Sequence, residues 1–283
     1  MNKRIAIFSF ALALLVLCGC VARPVTDTGI GDPSGPDAVL KDDPVTEDPG
    51  DGVQSATITC RVVEEEDGML TLAEFGGSNI FTLSTDSLSL KWQAGAPGIG
   101  EQEIEAGSLV DITFSGDIAE SYPARLGGAT ALTVRADGYD DMCDMYLEVL
   151  EDLWEVDSGL NGGITELSVD LRETSLSASE QEAVAWVFGQ EHGIAAPLTL
   201  SWAELKEESY LTGEEGNWWE WEKGCCFTIT EKPMEGSYSL NAVTFDAHKW
   251  RSALGAYFFS DCTNVQSASG EWGDYQIGSV AIS

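Results

Sequence analysis

Trp218-Trp219-Glu220-Trp221-Glu222 is the densest cluster of chemically able side chains in this 283-residue chain. Read as a strand, it puts Trp219 and Trp221 on one face and Trp218 on the other. An exposed aromatic face can stack on sugar rings, and adjacent carboxylates suit a cationic ligand through cation–π contact. Trp218, Trp219 and Trp221 are therefore a candidate ligand platform. The competing reading is packing, with one face in a core and the other covering a hairpin. Glu220 and Glu222 also have the chemistry of a glycoside-hydrolysing pair. With 48 acidic residues in the chain, however, carboxylates meet by chance. No Gly-x-Ser-x-Gly elbow occurs, and the glycine-rich run from Gly95 to Gly100 lacks the Lys-Ser/Thr of a phosphate loop. The two histidines, His192 and His248, form no His-Glu-x-x-His motif. No metal, no cofactor and no catalytic residue is expected, and His192 is expected at a helix C-terminus, where a cation is favoured.

Seven cysteines are present. Cys18 and Cys20 follow a basic start, Lys3-Arg4, and an apolar run, Ile5 to Leu17, that is too short to span a bilayer. That is the pattern of a secretory signal. Its end, Leu17-Cys18-Gly19-Cys20, has the form of a lipobox: an apolar residue, two small ones, then the cysteine that receives diacylglycerol. Cys18 would need Leu17 in the small position, whereas Cys20 has Gly19 there. Lipidation is therefore expected at Cys20, which anchors the chain to a membrane without spanning it. Among the remaining five, the Cys-x-x-Cys spacing of a zinc ribbon or thioredoxin-like site is missing. Cys225 and Cys226 would point to opposite faces of a strand, and either could meet Cys262 across a sheet in a disulfide that export permits. Cys60 and Cys143, on apolar faces, read as buried free thiols.

The formal net charge is −34. Nucleic acid is excluded as a partner, because basic residues must displace counterions from phosphate. Docking on anionic headgroups is disfavoured for the same reason. The acidity suits solubility, and calcium or a cationic ligand is its functional alternative.

The elements that would position these residues fall into four stretches. Residues 1–19 are the lipoprotein signal peptide. Residues 20–54 hold Pro24, Pro33, Pro36, Pro44 and Pro49 among scattered Asp and Gly, and read as a disordered acidic tether. A flexible coil of that length reaches on the order of 30 Å. Residues 55–136 carry short alternating runs at 56–62, 69–72, 80–83, 88–92, 109–114 and 131–134, with Asp67-Gly68 as a hairpin signal. A small antiparallel barrel is the expectation. Residues 138–283 begin with a helical stripe from Asp140 to Val156. A strand follows at 164–171, then two capping boxes, Ser177-x-x-Glu180 and Ser201-x-x-Glu204. Strands are expected at 226–229, 242–245, 256–259 and 275–278. Helices first and strands last predict an α+β domain with helices on one face of an antiparallel sheet.

The segment Ile118-Ala119-Glu120-Ser121-Tyr122-Pro123-Ala124-Arg125, followed by Ala131-Leu132-Thr133-Val134, resembles the closing motif of the YobA-like domain. The strand entry Gly107-Ser108-Leu109-Val110-Asp111-Ile112 is similar to that family as well. The resemblance implies an OB-like barrel in residues 55–136, of a kind common in small Gram-positive lipoproteins, and brings no activity with it. Between Gln93 and Gly100 the chain is glycine-rich where the family usually carries a polar strand and turn. The run from Trp250 to Phe259 resembles the C-terminal module of related anaerobe lipoproteins. The combined expectation is an extracytoplasmic protein, lipid-anchored to the bacterial cell membrane and non-catalytic. Its partners would be the bilayer through Cys20 and an envelope protein or glycan. The alternative is an envelope enzyme acting on glycan or peptide through carboxylates of the C-terminal domain.

Overall fold

Asp67 and Gly68 both adopt positive φ, 49° and 78°, the conformation a two-residue hairpin requires. They join β1 (Ala56–Glu66) to β2 (Met69–Glu74). In the computed structural model, which describes residues 55–214, 218–233 and 241–283, this hairpin begins a strand-rich α+β architecture. The expected signal peptide at 1–19, Cys20 and the expected tether at 20–54 lie outside the described residues. β3 (Ile80–Ser84), β4 (Ser89–Trp92), β5 (Leu109–Phe114) and β8 (Ala131–Val134) complete one sheet, in the order β3-β2-β1-β5-β8-β4. Between β5 and β8 lies a small ribbon of β6 (Ile118–Ala119) and β7 (Arg125–Leu126).

Every strand expected between 56 and 134 is present. Two features of the expected barrel differ. β4 runs parallel to β8, so the sheet is mixed. Among the described residues no pairing joins β3 to β4, so the barrel is not closed.

The rest of the chain runs α1 (Met142–Glu155), a 3-10 turn at Ser158–Asn161, β9 (Glu166–Glu173), α2 (Ala178–Glu191), α3 (Trp202–Glu207), β10 (Gly224–Glu231), β11 (Ala242–Ser252), β12 (Gly255–Val265) and β13 (Ser279–Ile282). The second sheet has the order β13-β12-β11-β10-β9. It was expected to be antiparallel, but β9 and β10 are parallel. The reason is the chain path: α2 and α3 lie between those strands, and a crossover of that kind returns the chain in the same direction. The expected strand at 275–278 is reduced to one bridge, Gln276 to Thr263, and the edge strand starts at Ser279.

Both capping boxes form. Ser177 and Glu180 close α2, and Ser201 and Glu204 close α3. The helices serve both sheets. α1 and α2 pack on each other, and α2 also touches β1, β2, β3 and β9. A bulge at Val63 in β1 explains how one strand feeds two cores. Cys60 and Val62 face the core of the first sheet, while Val63 joins the helices and the second sheet. The described residues belong to one compact unit.

Arg61 ties this arrangement together. Its Nε donates to Glu180 Oε1 at 2.8 Å, and Nη1 donates to the carbonyls of Gly107 and Gly138 at 2.8 and 2.7 Å. Gly107, at φ 86°, lies so close to Asp141 that a Cβ would stand 2.8 Å from its Cα. Glycine is what lets β5 begin against the start of α1.

Candidate functional site

The start of α1 and the loop before β5 enclose a cleft of about 590 Å³. Glu65, Glu103, Glu105, Asp141 and Asp144 line it, with Tyr139 on one wall and Leu90 and Ile104 supplying apolar surface. Local structure explains the placement. Asp141 is the N-cap residue of α1 and Asp144 lies in its first turn, where the positive helix end favours carboxylates. Trp272 fixes the rim: its backbone N–H donates to Asp141 at 2.7 Å and its indole N–H to Asp140 at 2.8 Å. Gly270, at φ 99°, lets this C-terminal loop lie against the Tyr139 backbone. A second depression of about 370 Å³ shares Glu105 and Tyr139 and adds Glu271.

The electrostatics follow from this crowding. Burial pushes the Asp141 carboxyl upward, partly opposed by the Trp272 N–H, while Asp144 and Asp140 push it further up. The Tyr139 phenol is also pushed up, first by burial and then by Asp141, Glu105, Glu271 and Asp144. A site with converging carboxylates, a protonated phenol and an apolar floor accepts a cation borne on an aliphatic or aromatic arm.

No protein-family profile matches this chain, and no curated protein matches it.

The structure does not bring the three tryptophans of the candidate platform onto one face. Trp221 is buried; its indole donates to Glu166 at 2.8 Å and Tyr210 packs edge-on against it. Trp219 is half-buried, edge-on to Trp202. Lys206 Nζ lies 4.6 Å from the Trp219 ring centre, so the protein's own cation occupies that face. Trp218 alone is exposed, at 61%. The physical reason is that the segment makes no strand. Glu220 bridges Thr212 and Ser252 singly, and the three rings turn to different environments.

The predicted disulfide is not formed either. Cys225, Cys226 and Cys262 are buried free thiols. β11 runs between β10 and β12, so Cys262 is two ladder spacings, about 10 Å, from Cys225 and Cys226. Register adds to this. Cys226 faces Trp250, and Cys262 faces Phe245 further along the same strand. A disulfide needs Cα atoms within about 7 Å. Cys60 and Cys143 are buried free thiols, as the apolar patterning predicts.

Three polar side chains have roles that the sequence did not reveal. Arg61 is the seam described above. Lys249 is fully buried, and its Nζ donates to the carbonyls of Leu153, Trp154, Val156 and Asp157 at 3.2, 3.2, 2.9 and 3.4 Å. It thereby caps the end of α1. His192 is the C-cap of α2, as expected, but it also stacks on Trp154 at 3.7 Å and contacts Glu151 Oε1 at 2.9 Å. The available signal was Lys249, which shares the strand face of Val243, Phe245 and Ala247, where a surface residue would be out of place.

Proposed function

We propose that this chain is a lipid-anchored, non-catalytic binding protein of the bacterial cell envelope, which takes a cationic group in the cleft beside Tyr139. The observation that carries the ligand reading is the convergence of Glu65, Glu103, Glu105, Asp141 and Asp144 on one cleft. The formal charge of −34 supports it by drawing cations toward the molecule. The ligand class is an amine or guanidinium of an envelope peptide or protein. Glycan binding loses its main support, because Trp219 and Trp221 are engaged internally.

The first sheet is read here as an OB-like barrel of YobA-like descent. Only residues 85–88 separate β3 from β4. Taken as two halves of one bent strand, β3 pairs with β2 and β4 pairs in parallel with β8. That gives the order of a five-stranded OB-like closure.

Titration of the full chain with a tetralysine peptide tests the cleft. Glu105→Gln with Asp144→Asn is expected to weaken binding by about tenfold or more, since each charge-assisted contact contributes about 1.5–3 kcal/mol. Unchanged affinity would show that the diffuse charge, not the cleft, holds the peptide. Cleavage of the peptide during the titration would instead favour the envelope-enzyme reading. The anchor has its own test. Incorporation of a palmitate analogue is expected to be lost in Cys20→Ala and kept in Cys18→Ala, and the reverse pattern would overturn the lipobox reading.

A further inference from the structure

At the opposite end of α1 from the acidic cleft, the ends of two helices bring three metal-ligating groups together. Glu151 lies in the last part of α1, and Glu191 and His192 end α2. One ligand atom from each falls within 4.8 Å of the other two. We propose that Glu151, Glu191 and His192 form a binding site for a divalent transition-metal ion of the zinc type.

Three features support a site rather than a chance meeting of carboxylates. The first is the imidazole. His192 is one of only two histidines in the chain, and its ring is held from two sides. Trp154 stacks on it at 3.7 Å with the planes 14° apart, and Phe188 packs edge-on at 4.8 Å. A ring locked in this way loses little freedom on binding, which is how ligands are held for metals. The second is spacing. His192 Nε2 and Glu151 Oε1 are 2.9 Å apart. Two ligands each about 2.0–2.2 Å from one zinc ion stand roughly 3.3 Å apart in a tetrahedron. A small opening of that pair admits the ion. The third is the field. α2 has no basic residue in its last turn, so the negative end of its dipole faces the cluster without a lysine or arginine from that turn. The corresponding end of α1 is already capped by Lys249, on carbonyls rather than on these carboxylates.

One imidazole and two carboxylates make a nitrogen–oxygen set, which suits Zn²⁺ or Co²⁺ better than a thiolate-seeking ion. Three protein ligands leave one tetrahedral position for water or an outside carboxylate. The site is separate from the proposed peptide cleft and does not depend on it.

The test uses the full chain, freed of metal with a chelator, and titrated calorimetrically with Zn²⁺. Co²⁺ absorption serves as a second readout of a tetrahedral site. The expected result is one saturable Zn²⁺ per chain, lost in His192→Gln and weakened by about tenfold or more in Glu191→Gln, the order of effect seen when a metal site loses supporting contacts. Glu191 is exposed, so its variant keeps the fold, which far-UV circular dichroism verifies. The cleft variant Glu105→Gln with Asp144→Asn should bind Zn²⁺ as the parent does. Three results would overturn the proposal: no saturable uptake, parental affinity in either site variant, or loss of uptake in the cleft variant.

Discussion

Lys249 shows what one buried side chain can carry. Its ammonium satisfies four carbonyls at the end of α1 and lies near the faces of Trp154 and Phe227, 5.9 and 6.0 Å from their ring centres. Burial pulls its pKa below the ordinary lysine range, which is the cost of removing the charge from water. Lys249→Met keeps the aliphatic stem and orphans the carbonyls. A loss of about 2–4 kcal/mol is expected in urea denaturation, and a loss below 1 kcal/mol would mean that water replaces the ammonium. Arg61 plays the matching part at the other seam. Removing it in Arg61→Leu leaves Glu180 and two glycine carbonyls without that partner, at an expected cost of about 3–5 kcal/mol. Neither role was legible in the sequence. Arg61 alternates with apolar neighbours as a surface residue would, Lys249 falls on the apolar face of its strand, and the carbonyls that both serve lie some 40 to 100 positions away along the chain. The same distance hid the Glu151–His192 pair, whose members come from different helices.

At the scale of elements, local signals were sufficient and long-range ones were not. The Asp67-Gly68 turn and both capping boxes could be read directly, because every atom in them lies within four residues. Glu180 illustrates where that reading stops. One carboxylate oxygen closes the box on Ser177, as the motif predicts, while the other takes Arg61 from β1. Ser177→Ala is accordingly expected to cost about 1 kcal/mol as a lost cap. A double-mutant cycle with Arg61→Leu should show coupling, since both act on Glu180, and strict additivity would sever the link. The parallel pairings β4–β8 and β9–β10 were missed because parallel neighbours are joined by long connections that carry no turn signature. The tryptophan platform failed for a related reason. Period-two alternation places side chains on faces only where a strand exists, and Glu220 makes single bridges instead.

On the scale of the whole molecule, burial of thiols sets the response to alkali. Burial pushes Cys60, Cys225 and Cys226 up to about 12 and Cys262 up to about 11. Unfolded thiols ionise near pH 8.5. Between these values the native chain holds more protons than the unfolded chain, so stability falls as pH rises. The urea midpoint under reducing conditions is expected to drop between pH 8 and 10.5, and less so in a Cys225→Ala, Cys226→Ala variant. A flat profile would contradict the burial of these groups. Salt should act in the opposite sense, stabilising the fold by screening the repulsion within a chain of charge −34. Finally, β1 leads the described strands and is paired on both flanks, with β2 and with β5, while Arg61 bolts it to α2. A pull on its N-terminal end therefore acts along the strand and must shear two ladders and an ion pair at once. Strain arriving from that side is carried first by these pairings, ahead of the edge strands β4 and β13.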